Sequence, residues 1–327
     1  MLVKINTILE SSRIYSLPMT IMSWLVTFTY SVLGSGNWLY GFIALFGICF
    51  AHLATNVLDD YLDYKFLIKQ VNFNKEEYLK NTQKTKCRYI LTGIMTEHEL
   101  LELACSYFLL AGLIGVFLFL KCGVGVLYYA IAGGVITLLY SLLSRFMLSE
   151  ILVALAYGPI LFGGVYYVMT KTFSWEIFIL SLPTMFVTVI LLYIHTIMDY
   201  EFDINEGKKT IANYFDSQLD SIVVLKVLII LAYISPILVC IFDILDWQIF
   251  AVWLTLPLAI DLYNSMKEYS INAESVPEKK WYHYPMENME HIKKIGAEAF
   301  MIRMYQSRNL MIYYGLILTI SIIFGID

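Results

Sequence analysis

Apolar residues dominate this chain in long runs, broken by shorter polar and charged segments. A stretch of about 20 apolar residues crosses the hydrocarbon core of a bilayer as a helix. Runs near 17–35, 38–58, 100–120, 124–143, 150–170, 174–197, 222–242, 247–263 and 309–325 meet that requirement. The pattern predicts an all-α integral membrane protein, a polytopic bundle of nine transmembrane helices.

Lysine and arginine placement orients such a bundle, because cytoplasmic loops carry the excess of both. With nine spans, 20 of the 22 basic residues lie on the side of the N-terminus or at its helix ends, and only Lys121 and Lys171 lie opposite. The N-terminus is expected in the cytoplasm, together with the polar segments 59–99, 198–221 and 264–308. Pro277 and Pro285 argue against one continuous helix through the last of these. Residues 1–327 read as a single membrane domain, and the polar, amphipathic first twelve residues carry no cleavable signal pattern.

Composition supports this reading: 59% of residues are apolar and 15% charged, whereas a soluble domain carries about 25% charged residues. The net charge of −5, with no basic region, gives no reason to expect a nucleic-acid partner, and no protein partner is indicated. Cys49, Cys87, Cys105, Cys122 and Cys240 are scattered without a CxxC, which supports neither a disulfide framework nor a metal knuckle. The 25 Tyr and 6 Trp suit membrane interfaces.

Two polar clusters break the apolar logic. In "NVLDDYLD", at the end of the second run, Asn56, Asp59, Asp60 and Asp63 fall at i, i+3, i+4 and i+7, one face of a helix continuing out of the span. In "YIHTIMDYEFDINEGKKT", at the end of the sixth, His195, Asp199 and Asp203 form an i, i+4, i+8 stripe with Glu206 one turn further. Either stripe alone could be a solvated helix end. Two of them at equivalent depths, four spans apart, point to a site, since carboxylates at the membrane edge are functional candidates by default.

Carboxylate and amide oxygens without cysteine suit a hard cation, and Mg²⁺ takes one or two carboxylates plus substrate phosphate oxygens. Two facing clusters could hold Mg²⁺ around a diphosphate. Gly207, Lys208 and Lys209 would add a flexible turn and positive charge beside the anion.

These residues resemble the UbiA superfamily of intramembrane prenyltransferases, whose members pair an NxxxDxxD-type motif at the end of the second helix with DxxxD at the end of the sixth. Here the motifs are Asn56-Asp60-Asp63 and Asp199-Asp203. Within the superfamily the chain is most similar to the menaquinone branch, the 1,4-dihydroxy-2-naphthoate polyprenyltransferases. "SSRIYSLPMTI", "NVLDDYLDY", "CRYILTGIMTEHEL", "SEILVALAYGPILFGGVYYV" and "DYEFDINEGKKTIA" each look like a segment of that branch. Two departures stand out: Asp59 occupies a position where the branch shows Asn, and His195-Thr196-Ile197-Met198 replaces an Asn-Asn-x-Arg run.

The resemblance implies a helical bundle with a central cavity open to lipid, Mg²⁺ as cofactor, a polyprenyl diphosphate donor and an aromatic acceptor. Asn56, Asp59, Asp60, Asp63, Asp199 and Asp203 become the expected metal ligands. Arg13, Arg88, Tyr140, Ser141, Arg145, Lys208 and Lys209 become candidates for diphosphate contact; each cation could instead be a positive-inside anchor at a helix end. His195 could orient the acceptor or act as a base, or be a hydrogen-bonded core residue. His52, one turn before Asn56, is a weaker candidate, as are His98, His283 and His291 in the loops. Competing readings are a terpene cyclase of the same superfamily, which ionises a prenyl diphosphate without an acceptor, and a cation transporter using the acidic clusters as its ion path.

Overall fold

The computed structural model describes residues 2–70, 73–80, 87–143, 146–205 and 207–325. The N-terminal α1 (Leu2–Ser11) leads through a short 3₁₀ turn into α2 (Pro18–Leu33), which Pro18 opens at a position where its missing N–H costs nothing. Asn37 caps α3 (Trp38–Leu67), its side chain accepting from Leu39 N at 3.0 Å and Tyr40 N at 3.4 Å. The helix runs well past the apolar stretch that predicted it. The acidic segment that opens the expected loop 59–99 is its last two turns, so that loop begins only after Leu67.

Short helices α4 (Lys75–Lys80) and α5 (Arg88–Leu91) precede α6 (Glu97–Cys122), whose start is a reciprocal cap between Thr96 and Glu99. Gly123, at φ 96°, turns the chain into α7 (Gly125–Leu143). Then follow α8 (Ser149–Leu155), a π-helical turn over Ala156–Ile160, and α9 (Leu161–Thr170), the three together forming one span. Beyond them lie α10 (Glu176–Met198), α11 (Tyr200–Asn205), α12 (Gln218–Ile241) and a 3₁₀ stretch over Trp247–Thr255 that feeds α13 (Leu256–Ile271). The chain closes with α14 (Met289–Lys294) and α15 (Glu298–Gly325). No strand occurs among the described residues beyond one isolated bridge, Phe146 to Lys209.

Among the described residues, eight helices are long and apolar enough to cross a membrane. The remaining expected span, 124–143, is the helix α7, but its apolar stretch Gly125–Tyr140 is shorter than the others. At 1.5 Å per residue it reaches about 24 Å, against a hydrocarbon core of about 30 Å.

Helices α3 and α6, α10 and α12, and α15 and α2 form the main pairs. The central element is α10: 67% of its apolar window is buried inside the bundle, the largest share of any span, as expected for a helix apolar all round. The outer helices expose large apolar side chains such as Leu109, Leu120, Ile131, Leu138 and Ile241, a surface suited to lipid. As Pro277 and Pro285 foretell, 264–308 is not one helix. α13 stops at Ile271, α15 starts at Glu298, and a largely extended segment between them folds back onto the bundle.

That segment is held by buried polar contacts. Arg303, wholly buried on α15, donates to Ser265 O, Ser275 O and Ala299 O at 2.7–2.8 Å and to Ser275 Oγ at 2.9 Å, with Tyr269 under its guanidinium. Asp261 receives Lys280 Nζ at 2.9 Å, Tyr282 OH at 2.6 Å and His283 Nε2 at 3.0 Å. The bond to Asp261 is the first cause that holds the Lys280 ammonium above the ordinary lysine range.

Candidate active site

The two acidic clusters open onto one cavity of about 1750 Å³. From α3 it is lined by Asn56, Asp59, Asp60 and Asp63; from the end of α10 and from α11 it is lined by His195, Asp199 and Asp203. Arg13, Arg88, Tyr140 and Lys208 line it as well, so most of the residues singled out from the sequence share one space. Lys209 is not part of the lining. Its side chain is exposed, and its carbonyl accepts from Met147 N at 3.0 Å, tying the turn after α11 to the chain entering α8. Ser141 lies on α7 beside Tyr140, whereas Arg145 and Glu206 fall outside the described residues.

Helical spacing explains the α3 face, but tertiary contacts decide how it is charged. Asp59 and Asp60 are 4% and 1% exposed, which burial would make costly without a cation. Arg13 supplies it: one guanidinium nitrogen is ion-paired to Asp60 and lies 3.6 Å from Asp59. Burial pulls the Arg13 guanidinium down, yet Asp59 and its neighbours hold it above the usual arginine value. Arg13 takes this position in a left-handed backbone conformation, φ 51°, at the break between α1 and the following 3₁₀ turn. Tyr89 on α5 also donates to Asp60, and burial, above all, pushes its hydroxyl well above the ordinary tyrosine range.

Asn56 is oriented by its amide nitrogen, which donates to Ser12 O at 3.1 Å and Ser16 Oγ at 3.0 Å. Its oxygen is thereby left for the cavity. On the other wall, Asp199 ends α10, its N–H bonded to His195 O, and Asp203 is 3% exposed on α11. Gly207, at φ 68°, reverses the chain so that Lys208 Nζ comes back to 3.3 Å from Asp203 Oδ1. A residue with a Cβ would meet no neighbour there, so backbone conformation alone calls for glycine. Among the described residues no three His, Cys, Asp or Glu side chains converge closely enough to hold one ion by themselves. The carboxylates stand instead on two walls, with Arg13 and Lys208 among them.

Several lining residues escape a reading of the sequence. Tyr89 lies on a short helix with no periodic signal. Tyr157 sits in the π-helical turn, where Gly158 leaves helical geometry at φ −92°, ψ −109° and a Cβ would come within 2.8 Å of Met185 Sδ. The pair Gly158-Pro159 inside a span was the available clue. Glu287, His291, Phe300 and Arg308, from the folded-back segment and α15, close the cavity on the polar side, and the Phe300 ring meets the His195 ring edge-on at 6.3 Å. No signal in the polar run 264–308 announces that wall.

The fold is similar to that of a UbiA homolog from Archaeoglobus fulgidus. Against its structure bound to GPP and Mg²⁺ the TM-score is 0.54, at 15% identity over 95% of this chain and 99% of that one. Against the structure bound to DMAPP and Mg²⁺ it is 0.53, at 14% identity over 95% and 98%. No curated protein matches the chain by sequence. The family model for the UbiA prenyltransferase family matches residues 17–287, which takes in both acidic clusters and the turn that carries Lys208. The chain belongs to the UbiA prenyltransferase family, and by that membership it is an enzyme of prenyl transfer.

Proposed function

We propose that this protein uses Mg²⁺ to transfer a polyprenyl group from its diphosphate to an aromatic acceptor of the 1,4-dihydroxy-2-naphthoate class. One observation carries the reading: Asn56, Asp59, Asp60 and Asp63 on one wall and Asp199 and Asp203 on the other line a single cavity, with Lys208, Arg13 and Arg88 beside them. The homologous structures holding GPP or DMAPP with Mg²⁺ support it at the level of fold.

The donor set fits the ion. All the ligand atoms are carboxylate or amide oxygens, and their division between two walls suits Mg²⁺, which takes few protein ligands and completes its shell with phosphate oxygens and water. When bound, the metal would neutralise the diphosphate and stabilise it as a leaving group. The chain's own residues do the rest. Lys208, Arg13 and Arg88 add positive charge where the leaving group's charge grows. The apolar remainder of the cavity holds the prenyl tail and keeps water from the allylic cation. The C–O bond breaks with its electron pair leaving on the diphosphate, and a ring electron pair forms the new C–C bond. From a carboxylated ring, CO₂ departs and returns its bonding pair to the ring.

The same reading has nine spans, with α7 as the ninth, and a cytoplasmic N-terminus and cavity mouth, supported by the lysine and arginine distribution. The test is a screen of purified protein with Mg²⁺, a long prenyl diphosphate and a panel of aromatic acceptors. Prenylated acceptor is the expected product. Cyclised hydrocarbon formed without acceptor would replace the transferase reading by a cyclase, and absence of diphosphate release would overturn both.

A further inference from the structure

Deeper in the same cavity lies a polar cluster that the diphosphate reading does not use. His52 is one helical turn, about 5–6 Å, inward of Asn56 along α3, and it lines the cavity wall. Both edges of its ring are held. Nε2 lies 2.8 Å from Ser16 Oγ, while the Ser16 hydroxyl donates to Arg13 O at 2.7 Å. A hydroxyl has one proton to give, so Ser16 accepts from the ring. Nε2 carries the hydrogen, and Nδ1 offers a lone pair. The same Ser16 oxygen accepts from Asn56, which ties the imidazole to the acidic wall through one atom.

Two hydroxyls converge on that lone pair, Thr20 Oγ1 at 2.6 Å and Tyr157 OH at 3.0 Å. A ring nitrogen accepts one hydrogen bond in its plane. Thr20 is nearer and wholly buried on α2, so it takes the lone pair. The Tyr157 hydroxyl, which also lies 3.4 Å from the already protonated Nε2, can then give its proton to Thr20 Oγ1 or to a ligand in the cavity. The π-helical turn, frequent at functional sites, presents this tyrosine to the cavity beside α3, where its ring meets the His52 ring edge-on at 5.7 Å.

A neutral phenol is a poor partner for a diphosphate that lysine, arginine and a divalent cation already serve. It is a good donor to the oxygen of a neutral or phenolic ring. Its place also fits: beside His52, one turn inward of Asn56, it lines the same cavity as apolar residues such as Ile48, Val153 and Leu161.

We propose that Tyr157 recognises the aromatic acceptor by donating its hydroxyl proton to a ring oxygen, and that His52 is the positioning residue: it takes the Thr20 proton and packs edge-on against the Tyr157 ring, which sets the phenol beside Thr20 for this contact. The proposal rests on the transferase reading above. It makes the dyad a determinant of acceptor specificity, separate from donor binding.

The test compares Tyr157→Phe, His52→Phe and His52→Gln with the unaltered enzyme, using a dihydroxynaphthoate acceptor and its analogue lacking one ring hydroxyl. Tyr157→Phe should raise the acceptor KM roughly tenfold, the worth of one hydrogen bond of good geometry. The donor KM and acceptor-free diphosphate release should not change. His52→Phe should match it. His52→Gln keeps an N–H for Ser16 and an oxygen for Thr20, and should recover most of the loss, which a merely space-filling role would not require. For the deoxy analogue matched to this contact, unaltered enzyme and Tyr157→Phe should become alike. Should His52→Phe not fold, Tyr157→Phe and the analogue decide alone. An acceptor KM within twofold of the unaltered value in Tyr157→Phe, with transfer intact, overturns the dyad and leaves the transferase standing. Diphosphate release with no acceptor ever prenylated overturns the transferase reading and the dyad with it.

Discussion

Arg13 and Asp60 form an ion pair at the wall of the cavity, and the same guanidinium nitrogen lies 3.6 Å from Asp59. The chain thus carries its own cation on the carboxylates proposed to meet Mg²⁺. Removing it leaves two buried negative charges uncompensated, which costs about 3 kcal/mol or more. Arg13→Gln is therefore expected to lower the apparent Tm in detergent. Added Mg²⁺ should restore more stability to the variant than to the unaltered protein, because the ion takes over the missing charge. Equal Mg²⁺-induced shifts in the two proteins would show that the ion does not meet these carboxylates.

The two acidic walls are expected to be equally indispensable. Asp60→Ala and Asp199→Ala should each reduce diphosphate release by about a thousandfold or more, on the order of 4 kcal/mol of transition-state stabilisation. Release measured with and without acceptor places the defect at ionisation. Near-normal release in either variant would refute the proposed metal site, provided circular dichroism confirms that the helices remain.

Gly207 gives a graded test of Lys208. Its φ of 68° suits glycine, and a Cβ would touch nothing, so substitution acts through backbone strain alone. Gly207→Asn tolerates that conformation and should retain most activity. Gly207→Val does not tolerate it. It should shift Lys208 away from Asp203 and depress kcat about tenfold or more, with little loss of helicity. Equal rates in the two variants would detach Lys208 from the reaction.

Arg303 predicts what holds the cavity's polar wall. Its donors satisfy three carbonyl oxygens and a serine hydroxyl inside the protein. Arg303→Leu strands those acceptors and is expected to cost about 3 kcal/mol. Limited proteolysis should then reach 272–288 well before the transmembrane helices. Arg303→Lys should rescue only part of the loss, since an ammonium cannot reproduce the planar fork.

Much of the molecule is legible without coordinates. Among the described residues eight of the nine apolar runs became helices long and apolar enough to cross a bilayer, because the bilayer sets a length and an apolarity that one dimension can display. The i, i+3, i+4, i+7 face of Asn56, Asp59, Asp60 and Asp63 follows from helical geometry, as does the stripe of His195, Asp199 and Asp203. Those spacings, with the resemblance they carry, were enough to bring the UbiA family into view.

Tertiary structure decided the rest. Spacing along one helix cannot say what faces it, so only folding brings the α3 and α10–α11 carboxylates to one cavity, sets Arg13 against Asp59 and Asp60, and leaves Lys209 outside. The wall made by Phe300 and Arg308 was invisible in the polar run 264–308, since its shape comes from contacts made by Arg303 and Asp261 with distant backbone and side chains. His52 is the sharpest case: one turn from Asn56 it reads as an isolated polar residue. Ser16, Thr20 and Tyr157, brought together from three other helical segments, define which of its nitrogens carries the proton and what surrounds the other.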